Sequence, residues 1–438
     1  MSSDKVKKLQ DRLTDVAKSD PKRRFYSLRD KIYREDVLEQ AWQDVEKNKG
    51  APGPDGVTTE EIAKQGAGKL LQELQEELRA ETYRPGPVLR VYIPKPNGGK
   101  RPLGIPNVRD RIVQAALKQV MEPIFEADFL PCSYGYRPGK SAKDATGEVY
   151  KWLNYGLVNV LDADIEHCFD EIPHDKLLAA VGRRISDKYV FKLISMWLKS
   201  PTLENGEFRK PKKGTPQGGV ISPLLANIYL HQVDHEWVRR GMTRRNGCNA
   251  QMVRYADDIV ILSDKPLDTP TKTLREILSA LGLKLSETKT QMTKAEKGFD
   301  FLGFRFTRGY SPRHRKVRTC YFPSPKSVKR AKGRIREIAG NNRTHIPPEE
   351  VAKQLNLAVT GWCNYFQWSW HTEAFSKVYG YLCSRFQRFL RRRKEKPGYG
   401  RYRDFPVSSL QSKYGLTTWK SSTVFLDQLR RECSGRAV

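Results

Sequence analysis

An acidic pair set between two apolar, strand-like runs constrains this chain more than any other feature. Gln251-Met252-Val253-Arg254 precede Tyr255-Ala256-Asp257-Asp258, and Ile259-Val260-Ile261-Leu262 follow. Apolar and β-branched runs on either side of a short polar break predict a hairpin, and its turn then carries two carboxylates side by side. Carboxylates held together cannot both ionise cheaply unless a divalent cation neutralises them. Residues 157–164 predict a further strand, with Val158, Val160, Asp162 and Asp164 on one face by period-2 alternation. If these strands are neighbours in one sheet, Asp164, Asp257 and Asp258 converge on a pair of metal ions. In-line phosphoryl transfer requires that arrangement, one ion on the attacking oxygen and one on the leaving oxygen. An isolated Tyr-x-Asp-Asp is equally an acidic turn with no further role, so the rest of the chain decides.

The 438 residues leave room for roughly two to four domains with real cores. Nineteen Tyr, 17 Phe and 8 Trp exclude a disordered chain. The formal net charge of +29, from 79 Lys+Arg against 50 Asp+Glu, points to a polyanionic partner, nucleic acid before anionic membrane. No apolar run approaches the ~20 residues that span a bilayer, and no signal-like apolar segment follows the N-terminus. The expectation is a cytoplasmic, nucleic-acid-associated protein without a membrane partner. Seven scattered cysteines, never in Cys-x-x-Cys spacing, form neither a disulfide framework nor a zinc site, and His167 and His174 read as surface or structural residues.

Residues 1–48 are charged and helix-like, with a break at Ser19-Asp20-Pro21. The Gly- and Pro-rich residues 50–56 predict a shaped loop. Thr58 and Glu61 then resemble a capping box opening a helix to about Ala80, with Leu70, Leu71, Leu74 and Leu78 on one face. Residues 90–95 and 101–105 predict a basic hairpin around a Gly-rich turn, carrying Lys95, Lys100 and Arg101. It is either a solvated surface hairpin or a finger that grips a triphosphate. Residues 134–139 form an aromatic and basic loop with Tyr134 and Arg137, and Gly214 to Gly219 with Gln217 form a Gly-rich one. Beyond Phe306, three amphipathic helices carry Lys329, Arg330 and Arg334 on the first and Arg391 and Arg392 at the end of the last. They predict a small bundle whose cationic faces track nucleic acid.

In order, the blocks Lys100-Arg101-Pro102-Leu103-Gly104-Ile105-Pro106, Ser133-Tyr134-Gly135-Tyr136-Arg137-Pro138-Gly139, Asp164-Ile165-Glu166-His167-Cys168-Phe169-Asp170, the glycine loop at 214–219, Tyr255-Ala256-Asp257-Asp258, Leu285-Ser286-Glu287-Thr288-Lys289-Thr290 and Phe301-Leu302-Gly303-Phe304 resemble the reverse transcriptases of bacterial mobile group II introns. Gly361-Trp362-Cys363-Asn364-Tyr365-Phe366 is similar to the maturase domain of that family. The resemblance spans roughly residues 25 to 395. It implies an α+β right-hand polymerase with fingers, a palm whose antiparallel sheet carries the catalytic aspartates, and a three-helix thumb. The implied divisions are an N-terminal extension and extra block (1–60), fingers (61–145), palm (146–306), thumb or maturase domain (307–396) and a short basic tail (397–438) that could be a reduced DNA-binding region.

By position, the resemblance makes Asp164, Asp257 and Asp258 metal ligands for two Mg²⁺, with Mn²⁺ as substitute, and has Ile165 lend a backbone carbonyl. Lys95 and Arg101 would grip the triphosphate and Gln217 would lie near the nascent base pair. Phe169 would underlie the sugar and exclude a ribose 2′-hydroxyl, and Lys289 would protonate the leaving pyrophosphate. Tyr134, Arg137, Lys329, Arg330, Arg334, Arg391 and Arg392 would contact nucleic acid. The implied partners are an RNA template, a DNA or RNA primer, dNTPs and a group II intron RNA. The implied activity is RNA-directed DNA synthesis with assistance to splicing. Two alternatives are a splicing cofactor in which polymerisation is secondary, and a free-standing relative serving the host, for example in DNA repair or defence. No HNH-type cluster of paired cysteines and histidines is present, so phosphodiester cleavage is not expected.

Overall fold

The structure, a computed structural model, describes residues 2–94, 99–211, 213–215, 218–312, 315–393 and 404–417. Two of the expected site residues, Lys95 and Gln217, lie outside that set, as does most of the basic tail. The chain divides into two compact units, Met1–Trp152 with Asn159–Met292, and Leu153–Val158 with Thr293–Val438. The strands are β1 (Val88–Pro94), β2 (Lys100–Ile105), β3 (Asn159–Asp164), β4 (Thr202–Glu204), β5 (Glu207–Arg209), β6 (Ala250–Tyr255), β7 (Asp258–Ser263), β8 (Gln291–Lys294), β9 (Phe299–Phe301), β10 (Phe304–Ser311) and β11 (Lys316–Pro323).

In the first unit the strands that matter for the site lie side by side in the order β6-β7-β3. From Ile259 to Ser263, β7 is buried at every position, which explains why its sequence is continuously apolar rather than alternating. Strands β6 and β3 flank it, both antiparallel. On β3, Leu161 and Ala163 join the main core, while Asp162 and Asp164 alternate to the other face at intermediate burial. The core itself is organised around the helix Val108–Glu126, which is buried around most of its circumference and therefore shows almost no polar stripe. A second sheet, of order β2-β1-β4-β5, holds the predicted basic hairpin, with Ile93 opposite Arg101.

One local expectation is corrected. The capping box forms as read, Thr58 accepting from the Glu61 amide while the Glu61 side chain accepts from the Thr58 amide, but the helix it opens stops at Gln65. Gly66 takes φ 82, a left-handed conformation that glycine enters without steric cost, and a separate helix runs over Gly68–Ala80. Leu74 and Leu78 are buried on it and Leu70 and Leu71 pack at the core's edge.

The second unit contains a three-stranded sheet, β11-β10-β9, and the helices Pro325–Ile338, Pro348–Phe366 and Thr372–Arg393. These are the three amphipathic helices expected from periodicity. Ile335, Ile338, Val351, Leu355, Val378, Leu382, Phe386 and Phe389 form their shared core. The unit begins at Thr293, ahead of the composition change after Phe306, because the Phe304 ring packs on Tyr365 and Phe366 at centroid distances of 5.5 and 4.7 Å. Among the described residues no helix is long and apolar enough to cross a membrane.

Candidate functional site

The register of β6 with β7 pairs Tyr255 with Asp258, so Ala256 and Asp257 alone make the turn. Ala256 has φ 57, a conformation that costs a residue with a Cβ roughly 1–2 kcal/mol. On the other side of β7, Asp164 pairs directly with Asp258. Directly opposed antiparallel residues have Cα atoms about 4.5–5.5 Å apart, so acidic side chains 93 and 94 positions apart in the sequence reach one end of one sheet.

A third segment closes on the same point. The Ser286 amide donates to the Asp164 carbonyl at 2.8 Å, and the turn that follows brings the Lys289 ammonium to Asp164 Oδ2, also at 2.8 Å. Ile165, next along, is buried as a side chain, so only its backbone is available to a ligand. Arg101 on β2 is exposed, and its charge is felt at both turn carboxylates.

Crowding shows in the protonation of the pair. Water reaches the Asp258 side chain, yet protein surrounds it on most sides. That desolvation first, then the negative charges of Asp257, Asp164 and Asp162, push its carboxyl up to about 7. Asp257 is also raised, first by burial and then by Asp164, while Arg101 and Lys289 pull it back. A carboxyl whose pKa is higher in the folded chain takes up a proton on folding, so its contribution to stability falls as pH rises through the interval between the two values. For Asp258 that interval runs from 3.8 to about 7. In metal-free buffer, Asp258→Asn is expected to gain stability relative to the parent protein as pH rises from about 4 to about 7. Parallel denaturation curves for the two proteins across that range would contradict this placement.

Among the described residues no three carboxylate, histidine or cysteine side chains already enclose a point that could hold a metal ion. Asp164 is turned to the Lys289 ammonium, which supplies positive charge beside its carboxylate. The donor set nevertheless suits a hard divalent ion. It consists of carboxylate oxygens, with a raised proton affinity that a cation would relieve.

The turn is held from behind by a group that sequence reading missed. Arg254, on β6, is fully buried and donates through Nε to Asp234 Oδ1 at 2.8 Å and through Nη2 to Asp234 Oδ2. Its Nη1 donates to Asn227 Oδ1 and to the Ala256 carbonyl, both at 3.1 Å. Asn227 in turn donates to the Gly135 carbonyl at 2.7 Å. Asn227 and Asp234 lie seven residues apart on the helix Ser222–Arg239, hence on one face, and this polar pair within an apolar stripe was the available signal. An arginine inside an apolar strand was the other. Neither signal names its partner.

The remaining expected residues are placed unevenly. Phe169 is half-buried against the core, and its carbonyl accepts from the Thr215 amide at 2.7 Å, which seats Thr215 beside it. His174 is structural, as expected, bonded to the Gly214 carbonyl at 2.8 Å. Lys329, Arg330 and Arg334 are exposed on the helix Pro325–Ile338, and Arg392 is exposed at the end of Thr372–Arg393. Tyr134 and Arg137, expected to face nucleic acid, are corrected. Both are buried, and Arg137 is spent on the Glu126 carboxylate and the carbonyls of Leu130 and Ser133. The outward aromatic residue of that loop is Tyr136. Arg391 is corrected too, because its side chain is buried against Asp404 at 3.1 Å. In both cases the fold needed the guanidinium to neutralise a carboxylate.

Residues 93–306 match the reverse transcriptase (RNA-dependent DNA polymerase) family, and residues 328–405 match the group II intron maturase-specific domain. The chain is 37% identical over 339 residues to protein YkfC of Escherichia coli strain K12, covering 69% of this chain and 88% of that protein. It is 38% identical over 211 residues to the group II intron-encoded protein LtrA of Lactococcus lactis subsp. cremoris, covering 46% of this chain and 34% of LtrA. It is 29% identical over 148 residues to the mitochondrial nuclear intron maturase 4 of Arabidopsis thaliana, covering 33% of this chain and 18% of that protein. The chain thus spans most of YkfC and about a third of LtrA.

Proposed function

Since this chain belongs to the group II intron-encoded reverse transcriptases and maturases, RNA-directed DNA polymerases, we propose that it copies an RNA template into cDNA from a DNA or RNA primer at the Asp164, Asp257 and Asp258 site. The observation that carries this reading is the strand register that pairs Asp164 with Asp258 and leaves Asp257 in the adjoining turn. Mg²⁺, replaceable by Mn²⁺, would be held by these three carboxylates and the Ile165 carbonyl, and when bound it supplies the positive charge that in-line displacement at a phosphate requires. The two-residue turn gives Asp257 a fixed position, and Lys289 restrains the Asp164 carboxylate until substrate arrives. Lys289 then stands where it can give a proton to departing pyrophosphate. Arg101 binds the dNTP triphosphate, a role that the family resemblance also gives to Lys95, as it gives Gln217 a role at the nascent pair. Orientation and charge complementarity, rather than covalent work by the protein, carry such a reaction.

In this reading the first unit comprises fingers and palm and the helices of the second form the thumb. Phe169 lies under the nucleotide sugar, where its ring excludes a 2′-hydroxyl. Phe169→Ala is expected to raise ribonucleotide over deoxyribonucleotide incorporation by about ten- to a hundredfold, measured as kcat/KM for each nucleotide on one RNA template. An unchanged ratio would remove Phe169 from the sugar site. The maturase-domain match and the exposed Lys329, Arg330 and Arg334 favour a second role on the same chain, binding a group II intron RNA and assisting its splicing.

A further inference from the structure

The loop that holds Tyr136 is pinned on both sides of that residue. The Arg254 amide donates to the Cys132 carbonyl at 2.8 Å, and the Tyr134 amide donates to the Arg254 carbonyl at 2.9 Å, so residues 132–134 run along β6 as an added rung. Ser133 and Tyr134 are buried there. Gly135 lies so close to the catalytic turn that a Cβ on it would come within 2.9 Å of the Tyr255 carbonyl carbon, and nearer still to the Ala256 nitrogen. Beyond Tyr136, Arg137 is buried and fixed by the Glu126 carboxylate and two carbonyls.

Tyr136 alone among residues 133–137 presents a large side chain outward, 57% exposed. Its backbone has φ 55, which is unusual for a bulky aromatic residue. An exposed ring returns little burial energy to offset that conformation, so packing does not account for it. Its surroundings do. The Tyr136 hydroxyl is raised above an ordinary phenol first by partial burial, then by the nearby charges of Asp257, Tyr255 and Asp258, while Arg101 pulls it back. The ring is therefore held at the carboxylate turn by backbone fused to the turn itself.

We propose that Tyr136 is a stacking platform for a nucleobase at the primer terminus, a contact that aligns the 3′-hydroxyl with the carboxylate turn. It rests on the polymerase reading above. Every base has a π face, so a tyrosine contact tolerates any sequence, as copying requires. The ring makes the contact, which gives Tyr136→Phe and Tyr136→Ala different outcomes.

The test uses the full chain bound to an RNA template and a DNA primer ending in 2-aminopurine, whose fluorescence is quenched by stacking. Tyr136→Phe is expected to keep both the quench and the extension rate within about twofold. Tyr136→Ala is expected to lose the quench, and its KM for primer–template rises about tenfold while its Mg²⁺ dependence stays unchanged. Tyr136→Leu, which retains bulk without a π face, serves if the alanine variant folds poorly and is expected to behave as the alanine variant should. Wild-type quench and KM in the folded alanine or leucine variant would overturn the proposal. If the parent protein binds the primer–template but extends nothing, the polymerase reading fails instead, while the fluorescence still reports whether a base rests on Tyr136.

Discussion

Asp257→Ala is expected to lose primer extension by at least about a thousandfold while still binding RNA. Removing this carboxylate leaves Asp164 and Asp258 opposed across β3 and β7 with one fewer carboxylate, and in the proposed reading a divalent ion would no longer be held in the required place. RNA affinity should persist because it comes from the surplus of basic side chains over the whole chain, which stands at +29. Extension assays on an RNA template, with filter binding of the same RNA alongside, separate the two quantities. Substantial extension by the variant would end the assignment of this turn as the polymerase centre. The same comparison divides the two roles proposed for the chain, since assistance to splicing should survive the loss of Asp257 and synthesis should not.

The second large effect lies behind the turn. Arg254→Ala or Asp234→Ala leaves one charge buried and unpaired in a fully enclosed site, a loss of about 3–5 kcal/mol. Replacing both residues, as Arg254→Met with Asp234→Leu, removes the unpaired charge and should recover most of that stability. It should not recover activity. The Ala256 carbonyl and Asn227 each lose the Arg254 donor, and Ala256, in its left-handed conformation, is no longer held in place. Denaturant midpoints and extension rates measured on the three variants distinguish these effects. A single variant as stable as the parent, or a double variant with full turnover, would show that the buried pair does not position the turn.

Much of the backbone that carries the candidate site could be read in advance because its signals are local. Alternation on β3, a continuous apolar run on β7 and a two-residue polar break between β6 and β7 each depend on neighbours a few positions away. Lys289 also arrives at Asp164, and the charge of Arg101 is felt at Asp257 and Asp258, although nothing in their own segments required it. The misreadings concern side chains whose fate depends on distant partners. Arg137 and Arg391 belonged to basic stretches that looked solvated, and the fold set them against Glu126 and Asp404. Tyr134 and Tyr136, two positions apart, took opposite fates because only one of them lies along β6.

The order of residues alone determined that this chain has an acidic hairpin, a basic charge surplus, three amphipathic helices near its end and a family to which such blocks belong. Those properties are periodicities and sums, and they exist before the chain folds. Tertiary structure decided which charges remain available. A buried guanidinium must find a carboxylate or carbonyl, since the interior offers no water to replace one, and the partner is fixed by packing rather than by sequence distance. Arg254 was therefore taken for structure and Arg101 left exposed, and the ring at position 136, not the one at 134, stays outward.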